Sequence, residues 1–285
     1  MKKIFSYIGI ATILSLSIII SERTTTVVKN IDTLMTEIKE KQLEYNKEPM
    51  NAIIEDNTII PGLYGKKINI QQTYDEMKKI GKFNEKYIKY EQTKPEITLE
   101  NNYDKYIISG NKEKNTISLI FLLYNDDNVE QIKKTLKKTN TKATFFIDKT
   151  WLEKHNKELT ELVNEGHTIG TLSYNQDYQN IEYTLLNDTL KKQTKQTNNY
   201  CYDKNKNIKT LKKCALNKNY TIRPTIIIKD HPLKEIKQKI TRGALIELPT
   251  NDKTNQELEL IIKYVKSKGY NIKNLDDHIS EKNNN

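Results

Sequence analysis

The chain has 285 residues, which is enough for one medium-sized domain and a smaller one. Hydrophobic residues make up 36% of it and the mean hydropathy is −0.76, which is low for a globular protein. The formal net charge is +10, but the lysines and asparagines extend along the whole chain and form no arginine-rich block. We therefore expect no nucleic-acid partner, whereas anionic lipid head groups and anionic polymers are compatible neighbours.

The first 22 residues have the pattern of a membrane anchor. Lys2 and Lys3 precede an apolar run over Ile4–Ile20, close to the lower limit of about 17 residues for a spanning helix. No small-residue cleavage site follows the run, because it ends in Ile20-Ser21-Glu22-Arg23. This pattern predicts a retained signal anchor at residues 1–22, with the remainder of the chain outside the cytoplasm. A cleaved signal peptide is the alternative.

Residues 23–49 are predicted to form a helical stalk or linker. Leu34, Met35 and Ile38 follow one another at helical spacing, but the pattern covers too few turns for a coiled coil. Residues 50–114 are predicted to form a small α+β unit, with turns at Pro61-Gly62 and strands over 87–90 and 106–108. No candidate chemistry is found in this unit.

From residue 115 the pattern changes to strands alternating with helices. Such repeats predict a parallel sheet or barrel covered by helices, here over residues 115–279, with a disordered tail at 280–285. The predicted strands are 117–123, 143–147, one near Thr168, one near Tyr200, 225–228 and 244–248; the predicted helices are 132–138, 151–165, 208–216, 233–240 and 256–268.

Several segments of this region resemble, in their order and spacing, the polysaccharide deacetylase family of chitin and peptidoglycan deacetylases. The segments are Lys142–Phe146 (K-A-T-F-F), Glu165–Gly170 (E-G-H-T-I-G), Gly243–Ile246 (G-A-L-I) and Lys268–Tyr270 (K-G-Y). The resemblance runs from about residue 115 to 278. It implies a distorted (β/α) barrel of about seven strands with its site at the C-terminal strand ends.

The resemblance also implies a reaction and its residues. Family members remove N-acetyl groups with one divalent metal, such as zinc, which polarises the carbonyl and activates water. An Asp-Asp pair supplies a base and a ligand, an H-x-x-x-H motif supplies two ligands, an arginine orients the base, and a late histidine is the acid. Three converging protein ligands are needed to hold such an ion.

Most of these positions hold other residue types here. The Asp-Asp pair falls within Tyr124–Asn128: in one register Asn125 replaces the base and Asp126 stays as a ligand, and in the other Asp126 and Asp127 are both kept. The remaining places hold Leu172 and Gln176 for the metal histidines, Tyr200–Tyr202 for the arginine strand, and Pro249 for the late histidine. We therefore expect no bound metal cofactor and predict a divergent member that is not an enzyme.

Two further hypotheses concern what the strand ends do instead. A rebuilt hydrolase site is one alternative, using Asp126, Asp127 and His231, which follows Asp230 at a strand end. A binding groove is another, in which Tyr174 and Tyr202 contact a cell-wall glycan. His167 is expected to serve the scaffold, whereas His155 and His278 are expected to be solvated.

Cys201 and Cys214 are the two cysteines of the chain, thirteen residues apart. Outside the cytoplasm such a pair is able to oxidise, and two buried thiols are the alternative. Taken together, the sequence predicts a single-pass membrane protein with an extracytoplasmic, catalytically inactive deacetylase-like domain. Its expected partners are a cell-wall glycan or a wall-associated protein. A structural role in holding a partner at the membrane is a further alternative.

Overall fold

The computed structural model describes residues 33–125, 127–172, 181–195 and 199–282. Within these ranges the chain forms two compact units. The smaller comprises residues 33–49 and Tyr64–Lys94, and the larger comprises Met50–Leu63 and the chain from Pro95 onward. This division differs from the predicted boundaries, because residues 50–63 and 95–114 belong to the larger unit.

The elements are numbered in chain order. The strands are β1 (Ile53–Glu55), β2 (Thr58–Ile60), β3 (Gly65–Ile68), β4 (Tyr90–Thr93), β5 (Tyr106–Ile107), β6 (Thr116–Leu123), β7 (Thr144–Ile147), β8 (Thr168–Thr171), β9 (Tyr200–Tyr202), β10 (Tyr220–Ile222), β11 (Ile226–Ile227), β12 (Leu245–Leu248) and β13 (Asn271–Ile272). The helices are α1 (33–45), α2 (Ile70–Met77), α3 (Glu130–Lys138), α4 (Lys149–Lys154), α5 (Asn156–Asn164), α6 (Ile181–Thr194), α7 (Ile208–Leu216), α8 (Pro232–Lys239), α9 (Asp252–Ser267) and α10 (Leu275–Ile279).

In the smaller unit, α1 and α2 pack with an antiparallel β3–β4 pair around a core of their own. Leu34 and Ile38 are buried in this core, so the described part of the predicted stalk is a packed helix rather than a free linker. The prediction of a strand over 87–90 is wrong, because the strand β4 covers Tyr90–Thr93. A 3-10 turn over Glu85–Tyr87 precedes β4, because Asn84 caps the turn by accepting a hydrogen bond from the Lys86 amide.

The larger unit is built on one curled sheet with the strand order β1-β2-β5-β10-β9-β8-β7-β6-β12-β11, and β13 pairs with the start of β6. Strand pairing is parallel except at the β1–β2 hairpin. The distorted (β/α) barrel that the resemblance implied is thus present as an open half-barrel, with β1 and β11 at its edges. Every residue of β6 is buried, as expected for a parallel strand that is covered on both faces.

Two cores lie on the two faces of this sheet. The outer core fills the space beneath the helices and includes Phe121, Phe145 and Trp151. The inner core fills the concave face and includes Leu122, Phe146 and Leu172. Because successive strand residues point to opposite faces, Phe121 and Leu122 contribute to different cores.

Helices and loops of the larger unit differ from prediction at a few places. The helix expected over 151–165 is broken at His155 into α4 and α5. Helix α6 and strand β10 were not predicted. Glu281, which was predicted to lie in a disordered tail, is held in place: its carboxylate accepts hydrogen bonds from the Gly62 and Leu99 amides at 2.8 and 3.0 Å.

Among the helices of the described residues, none combines the length and apolar character needed to cross a bilayer. The predicted anchor at residues 1–22 lies outside the described residues and stays a prediction.

Candidate functional site

The carboxyl ends of parallel strands meet at one edge of the sheet, and this edge is where the resemblance places the site. On the concave face of this edge the side chains are apolar and packed. Leu172 and Phe146 are fully buried, and Leu122 is 8% exposed. Gly170 of the E-G-H-T-I-G segment lies on β8, beside Phe146 of β7. The Phe146 ring packs over this glycine, because a Cβ at position 170 would overlap the ring. The candidate site is therefore filled by hydrophobic core.

The loop after β6 contains the predicted Asp-Asp pair. The Asp127 carboxylate accepts a hydrogen bond from the Tyr124 amide at 2.7 Å, and its carbonyl accepts one from Trp151 Nε1 at 2.9 Å. Asn125 has the left-handed backbone conformation that this tight turn requires (φ 47°). Asp126 lies outside the described residues. Asp127 thus serves to hold the loop, while the first α3 amide, that of Glu130, is bound by Asn128 Oδ1.

The strand that leads into this loop ends in two buried leucines. Leu122 and Leu123 are the last residues of β6, and Leu122 points into the concave face beside Leu172. The concave side of this strand end therefore carries a leucine directly before the loop that holds the predicted pair.

A buried tyrosine–glutamate pair lies on the same face. The Tyr202 hydroxyl donates a hydrogen bond to Glu247 Oε2 on β12. Burial raises the pKa of Glu247, against the opposing effects of the Tyr202 hydrogen bond and the Lys204 charge. Tyr202 has no exposed surface, so the expectation that its ring lines an open groove is wrong. Tyr174, the other predicted groove residue, lies outside the described residues.

Sequence reasoning missed two carboxylates at this edge. Asp148 follows β7 and caps α4 by accepting a hydrogen bond from the Trp151 amide at 2.7 Å, and burial raises its pKa. Glu247 interrupts the otherwise apolar strand Ala244–Leu248, a signal that was visible in the sequence. Tyr124 lies among these groups: its pKa is raised to about 12 by burial and by the negative charges of Glu247, Asp148 and Asp127.

None of the four histidines is at the centre of this site. His231 is exposed at the start of α8, where its amide donates to Glu235 Oε1 at 3.2 Å. His167 serves the scaffold as expected: its Nδ1 accepts a hydrogen bond from the Ala143 amide at 3.1 Å. Burial, then the charge of Lys142, lowers its pKa to about 4.

The other two histidines were expected in solvent, and both expectations are wrong. His155 stacks on the Trp151 ring at 4.8 Å between the ring centroids. His278 is fully buried, with Nδ1 2.9 Å from Thr116 Oγ1 and Nε2 3.1 Å from the Gly243 carbonyl. Because α10 folds back onto the start of β6, it carries this ring into the interior, which the tail-like sequence did not indicate.

Cys201 and Cys214 form a disulfide, which joins β9 to α7 on the outer face of the sheet. The oxidised alternative of the sequence prediction is thus the one that the structure contains.

Comparisons with known proteins agree with this architecture. Residues 109–231 match the polysaccharide deacetylase family. The chain is 31% identical to the uncharacterised protein YlxY of Bacillus subtilis over 277 residues, covering 90% of this chain and 87% of YlxY. The chain belongs to the polysaccharide deacetylase family.

Solved structures extend the match to the fold. A protein from Bacillus anthracis described as a CE4 family pseudoenzyme, BA3943, superposes with a TM-score of 0.69 at 23% identity. That alignment covers 87% of this chain and 95% of BA3943. PdaA of Bacillus subtilis, described as a family 4 carbohydrate esterase, gives a TM-score of 0.56 at 22% identity over 63% of this chain and 86% of its own.

The residues at the strand ends do not fit the divalent metal of the family. Leu122 and Leu172 offer no donor atoms, and Glu247 is engaged by Tyr202. Across the described ranges, no three Asp, Glu, His or Cys side chains come together as a metal-binding group. We therefore derive no metal-dependent step for this chain.

Proposed function

We propose that this chain is a non-catalytic member of the deacetylase family, anchored in a membrane and binding a partner at the cell wall. The observation that carries the proposal is the packed apolar layer of Leu122, Phe146 and Leu172 at the strand ends. A water nucleophile, its base and an acetyl group would all have to occupy this volume, and core side chains fill it.

Two features support the location. The apolar run Ile4–Ile20 is long enough for an anchor, and the disulfide between Cys201 and Cys214 is of a kind that persists in oxidising compartments. The similarity to a protein described as a pseudoenzyme supports loss of the reaction with retention of the fold. Detergent extraction with an intact N-terminus tests the anchor. A soluble mature protein that starts beyond residue 20 would contradict it.

Elemental analysis tests the loss of the metal. The full chain, purified in detergent and dialysed, should contain far less than one equivalent of zinc, cobalt or nickel. Near-equimolar metal that survives dialysis would favour the alternative of a rebuilt hydrolase, and variants at Asp126, Asp127 and His231 would then locate its ligands.

A pull-down on purified peptidoglycan tests the partner class. Individual stacking and amide contacts contribute only about 1 kcal/mol each, so a short glycan should bind weakly and an extended wall polymer more tightly. Since Tyr202 is buried, Tyr174→Ala is the informative variant for a glycan contact. Binding that is absent, or indifferent to Tyr174→Ala, would favour a wall-associated protein as the partner.

A further inference from the structure

The positive charge of the chain is concentrated in one part of the larger unit. Residues 187–218 contain nine lysines and two aspartates, a net charge of +7 out of +10 for the whole chain. One of the two aspartates, Asp203, is fully buried and accepts hydrogen bonds from the Asn205 and Asn207 amides. Lysines occur along the whole chain, but their excess over carboxylates is large in this segment.

Helices α6 and α7 carry most of these lysines and are joined to each other. The buried Asn219 side chain, which follows α7, donates a hydrogen bond to Asn187 Oδ1 of α6 at 2.8 Å. The disulfide between Cys201 and Cys214 fixes α7 to the sheet beside it. The side chains that these two linked helices and the residues directly after them leave wholly or partly exposed are called the α6–α7 face; its members are Lys191, Lys192, Lys195, Lys209, Lys212, Lys213, Lys218, Leu185, Ile208 and Leu216.

Three lysines in and just after α7, Lys212, Lys213 and Lys218, lack the ion pairs that are common elsewhere among the described residues. Among the described residues, no carboxylate lies within 4.0 Å of the ammonium groups of Lys212, Lys213 or Lys218. On the opposite helices, by contrast, Lys138 and Lys263 both pair with Glu259 at 2.8 Å. Lys206 lines a cavity of about 410 Å³ together with Glu55 and Asp56, and Ile208 of the face borders the same cavity.

Large apolar side chains are exposed among these lysines. Leu216 is 82% exposed, Leu185 56% and Ile208 46%. Ile208, Lys212 and Leu216 are spaced four residues apart, so they form one stripe on the outer side of α7. A single exposed leucine is ordinary, but lysines interleaved with exposed aliphatic side chains on one helix face are typical of a helix that lies in a membrane interface.

We propose that the α6–α7 face binds an anionic lipid surface. The lysines attract anionic head groups within a Debye length, and Ile208 and Leu216 gain by entering the interface. A soluble polyanion would satisfy the lysines but offer nothing to the aliphatic side chains, so a lipid surface fits the whole face better. The face would set the orientation of the larger unit on the membrane. The proposal rests neither on the loss of catalysis nor on glycan binding.

The test uses the full chain with a tryptophan introduced at the face. Trp151 is the only native tryptophan and is fully buried, so it gives a constant background. The Leu216→Trp variant is reconstituted into vesicles with brominated acyl chains, made of phosphatidylcholine alone or mixed with phosphatidylglycerol. Leu260→Trp on α9 is the matched control, since Leu260 is 54% exposed and lies next to Glu259, which pairs with Lys263.

We expect bromine quenching of the Leu216→Trp indole to increase about twofold or more when phosphatidylglycerol is present, and to fall back in high salt. Leu260→Trp should show no such increase. Adding Lys212→Gln and Lys213→Gln should abolish the increase, whereas Lys134→Gln with Lys157→Gln, at exposed lysines of α3 and α5, should leave it unchanged.

The proposal is overturned if quenching is independent of phosphatidylglycerol, or equal at positions 216 and 260. It is also overturned if soluble polyphosphate shifts the Leu216→Trp emission in phosphatidylcholine vesicles while phosphatidylglycerol does not, because the ligand is then a polyanion. Flotation of the wild-type chain with phosphatidylcholine vesicles reports on the N-terminal anchor alone. Failure of the anchor and failure of the face are therefore distinguishable.

Discussion

Truncating Leu172 to alanine should destabilise the larger unit strongly. Leu172 is fully buried in the inner core, and its amide is bonded to the Ile147 carbonyl at 2.9 Å. The parallel strands on either side hold its neighbours in place, so the structure has little freedom to collapse into the space left by the side chain. A fully buried leucine in such a setting costs about 2–5 kcal/mol on truncation.

This cost converts into a shift of the unfolding midpoint. At about 2–4 °C per kcal/mol for a unit of this size, Leu172→Ala should lower the midpoint by about 4–20 °C. Trp151 is buried in the outer core of the same unit, so its fluorescence follows the transition. Leu260→Ala is the matched control, because Leu260 is 54% exposed, and it should change stability by less than about 0.5 kcal/mol.

Comparing the unfolding midpoints of Leu172→Ala and Leu260→Ala shows whether the strand ends are hydrophobic core or an open functional site. Residues at functional sites often cost stability, and their replacement is then cheap or even stabilising. If Leu172→Ala unfolds at the same temperature as Leu260→Ala, the strand ends are not packed and the inference of a filled site is refuted.

The other predictions concern pH and the disulfide. Burial lowers the pKa of His278 from 6.5 to about 3, so between these pH values the unfolded chain takes up a proton that the folded chain does not. The free energy of unfolding, measured in urea, should therefore fall as the pH drops from about 6.5 towards 3. The fall should be less steep in His278→Gln. Burial raises the pKa of Glu247, so the Glu247→Gln variant should be more stable than wild type at pH 7. The difference should disappear below about pH 4.5, where the Glu247 side chain of the wild type is neutral like glutamine. Tyr202 keeps a hydrogen-bond acceptor in both proteins. Removing the disulfide by Cys201→Ala with Cys214→Ala should cost about 3 kcal/mol, and an equal cost on adding reductant to wild type would confirm that the bond, rather than the side chains, is responsible.

Much of the larger unit was predictable because its signals are local. The mostly apolar run of β6 and the K-A-T-F-F segment indicate buried parallel strands, and both are confirmed. Helix α6 was missed because its apolar residues form no clear stripe along the sequence. The open sheet was not predictable, since whether β1 and β11 meet depends on curvature, which no short pattern encodes.

The contacts at the candidate site were less predictable than the strands that carry it. The resemblance placed Leu172 at a metal-ligand position, and its packing in one core with Phe146 is a tertiary contact that no local pattern indicates. Tyr202 was misassigned to a groove, because a tyrosine at a strand end looks the same in sequence whether it faces solvent or a buried glutamate. Glu247 supplies that partner from β12, 45 residues along the chain.

Release of acetate is the measurement that bears most directly on the central claim. The full chain, in detergent and supplied with zinc or cobalt, is incubated with N-acetylglucosamine oligomers and with peptidoglycan, beside an active family 4 carbohydrate esterase. Since Leu172 stands at a predicted metal-ligand position and core side chains fill the strand ends, we predict no acetate above the enzyme-free control while the esterase turns over under the same conditions. Metal-dependent acetate release that is lost on substituting Asp126, Asp127 or His231 would contradict the account and establish a rebuilt active site.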